Sequence, residues 1–107
     1  MALAVLLSLA ASARDAGQWN GVDPETRRWF DSLQSKKGYC CSVADGQEVV
    51  DYEIKDGHYW APLDGKWRQV PDEAVIHEPN KVGRAIEWLI QGKGGLEWRC
   101  FLPAGGV

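Results

Sequence analysis

Three cysteines, two histidines and six tryptophans are the residues here with the most chemistry to offer. Cys40 and Cys41 are adjacent, and Cys100 lies far downstream. A thiolate can be oxidised to a bridge, ligate a soft metal or attack an electrophile. A bridge between neighbours closes a strained ring, so Cys100 is expected to pair with Cys40 or Cys41. That crosslink encloses about 60 residues, and chain-entropy reasoning puts its stabilisation at roughly 4 kcal/mol. One thiol is left over. It is inert and buried, missing a partner, held in an intermolecular bridge, or reactive.

No Cys-x-x-Cys or His-x-x-x-His spacing of a strong metal site occurs, so no metal ligand is assigned and no cofactor is expected. His58 follows the Asp56-Gly57 pair and His77 precedes Glu78; both read first as solvated side chains. No Gly-x-Ser-x-Gly, phosphate loop or dinucleotide fingerprint is present. A Cys–His hydrolase pair has only the presence of its members in its favour. The chain therefore reads as a non-catalytic protein.

The elements that must position these residues follow from local signals. Asp23-Pro24-Glu25 starts a helix, with Asp at the N-cap and Pro in the first turn. It is predicted to run to about Gln34 with Trp29, Phe30 and Leu33 inward. Ser35-Lys36-Lys37-Gly38 would stop it, the lysines lying near its negative end. From Glu48 the pattern changes to short strands. Asp56-Gly57 and Asp64-Gly65 are both signals for two-residue hairpin loops. These loops pair Lys55 with His58 and Leu63 with Lys66. One face of the meander then collects Val50, Tyr52, Ile54, Tyr59, Ala61, Leu63 and Val70. The other collects Val49, Asp51, Glu53, Lys55, His58, Trp60, Pro62, Trp67 and Gln69. Two independently placed turns yield one consistent apolar face, which supports the register.

Residues 71–79 are bracketed by prolines and suggest a single turn with Val75 and Ile76 inward. Residues 84–91 and 96–102 are read as a final hairpin around Gly92–Gly95. Helix is the competing reading for 82–91, but Ile86, Trp88 and Ile90 alternate as in a strand. Placing Ile90 opposite Leu96 sets Trp88 opposite Trp98 and Ile86 opposite Cys100. The fold class is then α+β: one N-terminal helix packed on a small five-stranded antiparallel sheet, or a half-open barrel if the sheet twists strongly.

Residues 1–13 are uncharged, apolar and end in Ala11-Ser12-Ala13, the small-x-small pattern of a cleaved export signal. A short buried helix is the alternative, and the run is too short to span a bilayer. Residues 14–22 read as a polar leader arm, and 23–107 as a single disulfide-stabilised domain. The chain has 107 residues, 45% hydrophobic and 25% charged, with a net charge of -3. That balance fits one globular domain and lacks the basic footprint of a nucleic-acid binder.

Five stretches together carry a resemblance: Trp29-Phe30-Asp31-Ser32-Leu33, Cys40-Cys41-Ser42-Val43-Ala44-Asp45, Tyr59-Trp60-Ala61-Pro62, Val70-Pro71 and Arg99-Cys100-Phe101-Leu102-Pro103. They resemble small exported proteins of alphaproteobacteria, marked by a paired cysteine and a late Cys-Phe-x-Pro strand. The resemblance implies export and brings no activity with it. In that group a further cysteine often follows the acid; here the position is Gly46.

The expected function is an exported envelope protein, periplasmic or secreted, that binds a protein, peptide or glycan through a sheet face. Trp60 and Trp67, with His58 beside them, are the candidate binding residues; if another element covers them they are core instead. The alternative is a redox or metal-handling protein built on Cys40, Cys41 and Cys100.

Overall fold

The structure, a computed structural model, describes residues 21–40 and 45–105. The expected signal at 1–13, residues 14–20 of the leader arm and Cys41 lie outside the described residues.

Helix α1 spans Pro24–Ser32. The Asp23 carboxylate accepts from the Thr26 amide at 3.0 Å and from the Thr26 hydroxyl at 2.7 Å. These bonds favour the charged form and hold the Asp23 pKa below its ordinary value. The helix ends before the expected Gln34. Leu33 turns extended, and strands β1 (Gln34–Ser35) and β2 (Gly38–Tyr39) form a tight hairpin. Lys36 and Lys37 thus occupy its turn rather than the last helical turn. Gly38 sits at φ +118, a conformation that favours glycine; a Cβ there would also meet the end of the Arg99 side chain at 2.7 Å and displace it.

Strand β3 (Gln47–Glu48) precedes the meander of β4 (Glu53–Lys55), β5 (His58–Leu63) and β6 (Lys66–Gln69). Both loops close as expected, with Lys55 opposite His58 and Leu63 opposite Lys66. Asp56, Gly57, Asp64 and Gly65 all have positive φ, as a primed turn requires. A 3₁₀ turn at Asp72–Ala74 follows and leads Val75 and Ile76 into the core. Strands β7 (Ile86–Gly92) and β8 (Gly95–Leu102) close the fold.

The broad α+β class stands, but the single five-stranded sheet or half-open barrel does not. The strands form three small antiparallel sheets: β1-β2, β3-β7-β8 and β4-β5-β6. Pro62 supplies one physical reason. Residues 58 and 60 of β5 pair with β4, so the next position aimed at that neighbour is 62. Proline has no N–H to extend the ladder. The chain before Glu53 departs, and β3 pairs with β7 instead, Glu48 opposite Ile86. This reverses two face assignments. Val50 is 89% exposed, while Val49 is buried and donates its amide to the Ala85 carbonyl at 2.8 Å. Ile54, on the short edge strand, is also exposed.

The final hairpin is a hairpin, in a different register. Its loop is the two residues Lys93 and Gly94, so Leu96 faces Gln91 and Trp98 faces Leu89. A bulge at Arg99 then sets Cys100 opposite Trp88 and Leu102 opposite Ile86. Arg99 turns to the β1–β2 hairpin: its Nε donates to the Tyr39 carbonyl, and its own carbonyl accepts from the Ser35 hydroxyl. The bulge separates Trp98 from Cys100, which simple alternation would put on one face.

The β7–β8 hairpin is consequently covered on both sides. One face packs Trp88, Ile86, Cys100 and Leu102 against Phe30 and Leu33 of the N-terminal part. The other packs Trp98, Phe101 and Ala85 against Ala61, Leu63 and Val70 of the meander. The Cys40–Cys100 disulfide, Cα–Cα 5.5 Å, staples the first layer, both cysteines fully buried. Gly46 is buried as well; a Cβ there would stand 3.0 Å from Ile86 and 3.1 Å from Trp88. A cysteine at this position would require those neighbours to give.

Candidate binding surface

The meander has two unlike faces. Ala61, Leu63 and Val70 point at the terminal hairpin and are buried. The period of two then sends Trp60, Pro62, Trp67 and Gln69 to the opposite side. Pro62, Trp67 and Gln69 are exposed there, as are Glu53 and Lys55 on the neighbouring strand. Trp67 is 47% exposed.

Trp60 lies at the centre of this face, between Glu53 on one side and Gln69 on the other. The Lys55 ammonium stands 4.5 Å from the Trp60 ring centroid. Such a cation–π contact at a surface contributes roughly 0.5–1 kcal/mol and holds the lysine against the ring. The Trp60 Nε1–H is buried and makes no hydrogen bond. An unpaired buried donor costs about 1–3 kcal/mol. Trp67 faces Pro62, which makes it a diagonal neighbour of Trp60. Diagonal side chains on paired strands are about 7–8 Å apart, within reach for aromatic rings. The two indoles therefore share one surface.

His58 lies opposite Lys55, away from Trp67. Its Nδ1 is 2.9 Å from Asp72 Oδ1. Asp72 also lines a cleft of about 300 Å³ with Gly57, Tyr59, Val75 and His77. Burial and the nearby Tyr52 raise the Tyr59 pKa. The cleft thus sets a histidine, a phenol and a hydrogen-bonded carboxyl group near one another. Among the described residues no group of three or more His, Cys, Asp or Glu is placed to hold a metal ion.

Sequence reasoning missed Lys55 over Trp60, although the Lys55–His58 pairing already set that lysine on the tryptophan face. It also missed a groove of about 200 Å³ between the meander and the terminal hairpin. Leu63, Leu96 and Trp98 line it with Arg68, Lys37 and Glu97. The unpredicted Arg99 bulge turns Trp98 towards the meander, so no local signal could have revealed it.

A third hollow, about 310 Å³, contains Glu48, Asp51 and Glu87 beside Pro62. Burial raises the Glu87 pKa, opposed by a 2.7 Å hydrogen bond from the Trp98 Nε1. Among the described residues no helix is long and apolar enough to cross a membrane. Comparison with protein-family models, with curated proteins and with solved structures yields no match.

Proposed function

We propose that this chain is an exported, non-catalytic binding module of the cell envelope, periplasmic or secreted. It holds a protein, peptide or glycan through the outward face of the meander. The observation that carries the reading is Trp67: a large aromatic left half exposed beside Trp60, while Ala61, Leu63 and Val70 on the other face of the same sheet are buried. Exposed apolar clusters rimmed by polar groups are characteristic of interaction surfaces, and tryptophan is enriched where binding energy concentrates. Glu53, Lys55 and Gln69 supply such a rim.

Export is supported by the uncharged run ending in Ala11-Ser12-Ala13 and by the Cys40–Cys100 bridge, since disulfides persist in oxidising compartments. The resemblance to small exported alphaproteobacterial proteins agrees with it. The bridge itself is fully buried, which favours a structural staple over a redox centre open to exchange.

The test is capture from an envelope extract by the mature chain, compared with Trp60→Ala/Trp67→Ala. The expected result is loss of the captured partner with the thermal transition retained. Capture unchanged by the double variant would overturn the face as the binding surface. The intact mass of exported protein should begin at Arg14; retention of Met1 would overturn the export reading.

A further inference from the structure

The binding reading says which face is used; the hydrogen-bond phase of β6 goes further and indicates what binds. The Val70 amide donates to the Tyr59 carbonyl at 2.8 Å, so that pair exchanges bonds across the ladder. Alternation makes Ala61–Arg68 and Leu63–Lys66 the next bonded pairs. Trp67 and Gln69 therefore aim their backbone N–H and C=O away from β5. Among the described residues the strand order places no strand on that side, and neither residue finds a backbone partner there. The other edges offer less. In β4 only Ile54 points outward, and the β8 edge is partly capped by Lys37, whose ammonium donates to the Trp98 carbonyl at 3.0 Å.

The side chains of β6 specify the charge of an added strand. Lys66 and Arg68 share its inner side, exposed, with no ion-pair partner among the described residues. A second copy pairing here would bring these cations close to one another, a destabilising arrangement. Arg68 also lines the groove of about 200 Å³, together with Leu63, Leu96, Lys37 and Glu97.

Resting on the binding reading above, we propose that β6 accepts an extended acidic peptide as a fourth meander strand, through the Trp67 and Gln69 backbone and the Lys66 and Arg68 charges. Main-chain bonds hold the strand and alternate side chains give selectivity. Its glutamates lie beside Lys66 and Arg68, their methylenes over Leu63 and Leu96. Its intervening β-branched residues lie against Trp67 and Pro62.

The probe is a capped hexapeptide alternating glutamate with valine, set against its lysine counterpart. Titration is followed by NMR amide shifts and hydrogen exchange. The expected result is saturable binding of the glutamate peptide alone, with exchange at Trp67 and Gln69 slowed at least tenfold. Gln69→Pro removes a donor that β5 does not use, so it should keep the melting temperature and weaken binding at least tenfold. Lys66→Glu/Arg68→Glu leaves the backbone unaltered; it should lose the glutamate peptide and gain the lysine one, and it decides the matter if the proline variant fails to fold. Equal binding of both peptides, no saturable binding, or a dimer formed through β6 would overturn the proposal. Full binding by a folded Gln69→Pro would do the same. Loss of envelope capture only in Trp60→Ala/Trp67→Ala, with Gln69→Pro and the charge-reversed protein still capturing, would overturn the edge and leave the face standing.

Discussion

The terminal hairpin and the meander are both built from short antiparallel strands with tight turns, yet they use their aromatic residues differently. The β7–β8 hairpin is the middle layer. Trp88 packs towards the helix side and Trp98 towards the meander, both almost fully buried. The meander is an outer layer, with Ala61, Leu63 and Val70 inward and Trp60 and Trp67 on the other face. A strand pair covered on both sides has its aromatics committed to packing. One covered on a single side has a second face free to meet something else. Tryptophan content alone carries no such information; the number of layers above each residue does.

This contrast can be broken most forcefully at Trp88. Trp88→Ala empties a site between Phe30, Ile86 and the disulfide, and a buried tryptophan truncation costs about 3–5 kcal/mol. Chemical denaturation should show a protein close to its folding threshold, since small domains have only about 5–15 kcal/mol to lose. A loss below 1 kcal/mol would mean that the middle layer is not the core.

The crosslink comes next. Cys100→Ser should lower stability by about 2–5 kcal/mol, the usual loss for a native bridge in a small exported domain. Non-reducing peptide mapping of the parent protein should recover Cys40 joined to Cys100. Recovery of Cys41 in that bridge would contradict the packing described above.

A smaller effect sharpens the comparison at the boundary between the layers. Glu87 has its pKa raised by burial, so the folded protein holds its proton to higher pH than the unfolded chain does. Between the ordinary carboxyl value and the raised one, the folded state binds more protons, and stability falls as pH rises. Glu87→Gln keeps an acceptor for the Trp98 indole N–H and removes the titration. It should make stability flatter as pH rises above the ordinary carboxyl range and slightly higher at neutral pH. A variant whose pH–stability profile overlays that of the parent would mean that Glu87 is not desolvated.

The smallest stability change belongs to Trp67. Trp67→Ala should alter stability by no more than about 0.5 kcal/mol, as surface substitutions do, while reducing partner capture. A thermal shift as large as that of Trp88→Ala would mean that both layers are closed.

Legibility in the sequence followed the range of the interaction. The helix start was readable because Asp23, Pro24 and Glu25 act within one turn. Both meander loops were readable because Asp-Gly pairs adopt positive φ locally, and a two-residue loop settles the register of its strands. The Trp60 and Trp67 positions on one face followed from that register alone. Whether another element covers them was not readable, because coverage is a relation between layers.

What the sequence determined by itself was therefore local: one capped helix, two primed turns, an alternating meander and a bridge from Cys100 to one of two neighbouring cysteines. The tertiary structure decided the rest. It chose Cys40, ended β4 where Pro62 could not donate, and divided the strands into three sheets. It inserted the Arg99 bulge that sends Trp98 and Cys100 to opposite faces, and left β6 with no neighbouring strand on its outer edge among the described residues. The physical reason is common to all of these. Backbone turns are governed by the sterics of two or three residues, whereas layer assignment depends on contacts between segments 60 or more residues apart, whose entropic cost is repaid only when the whole core assembles.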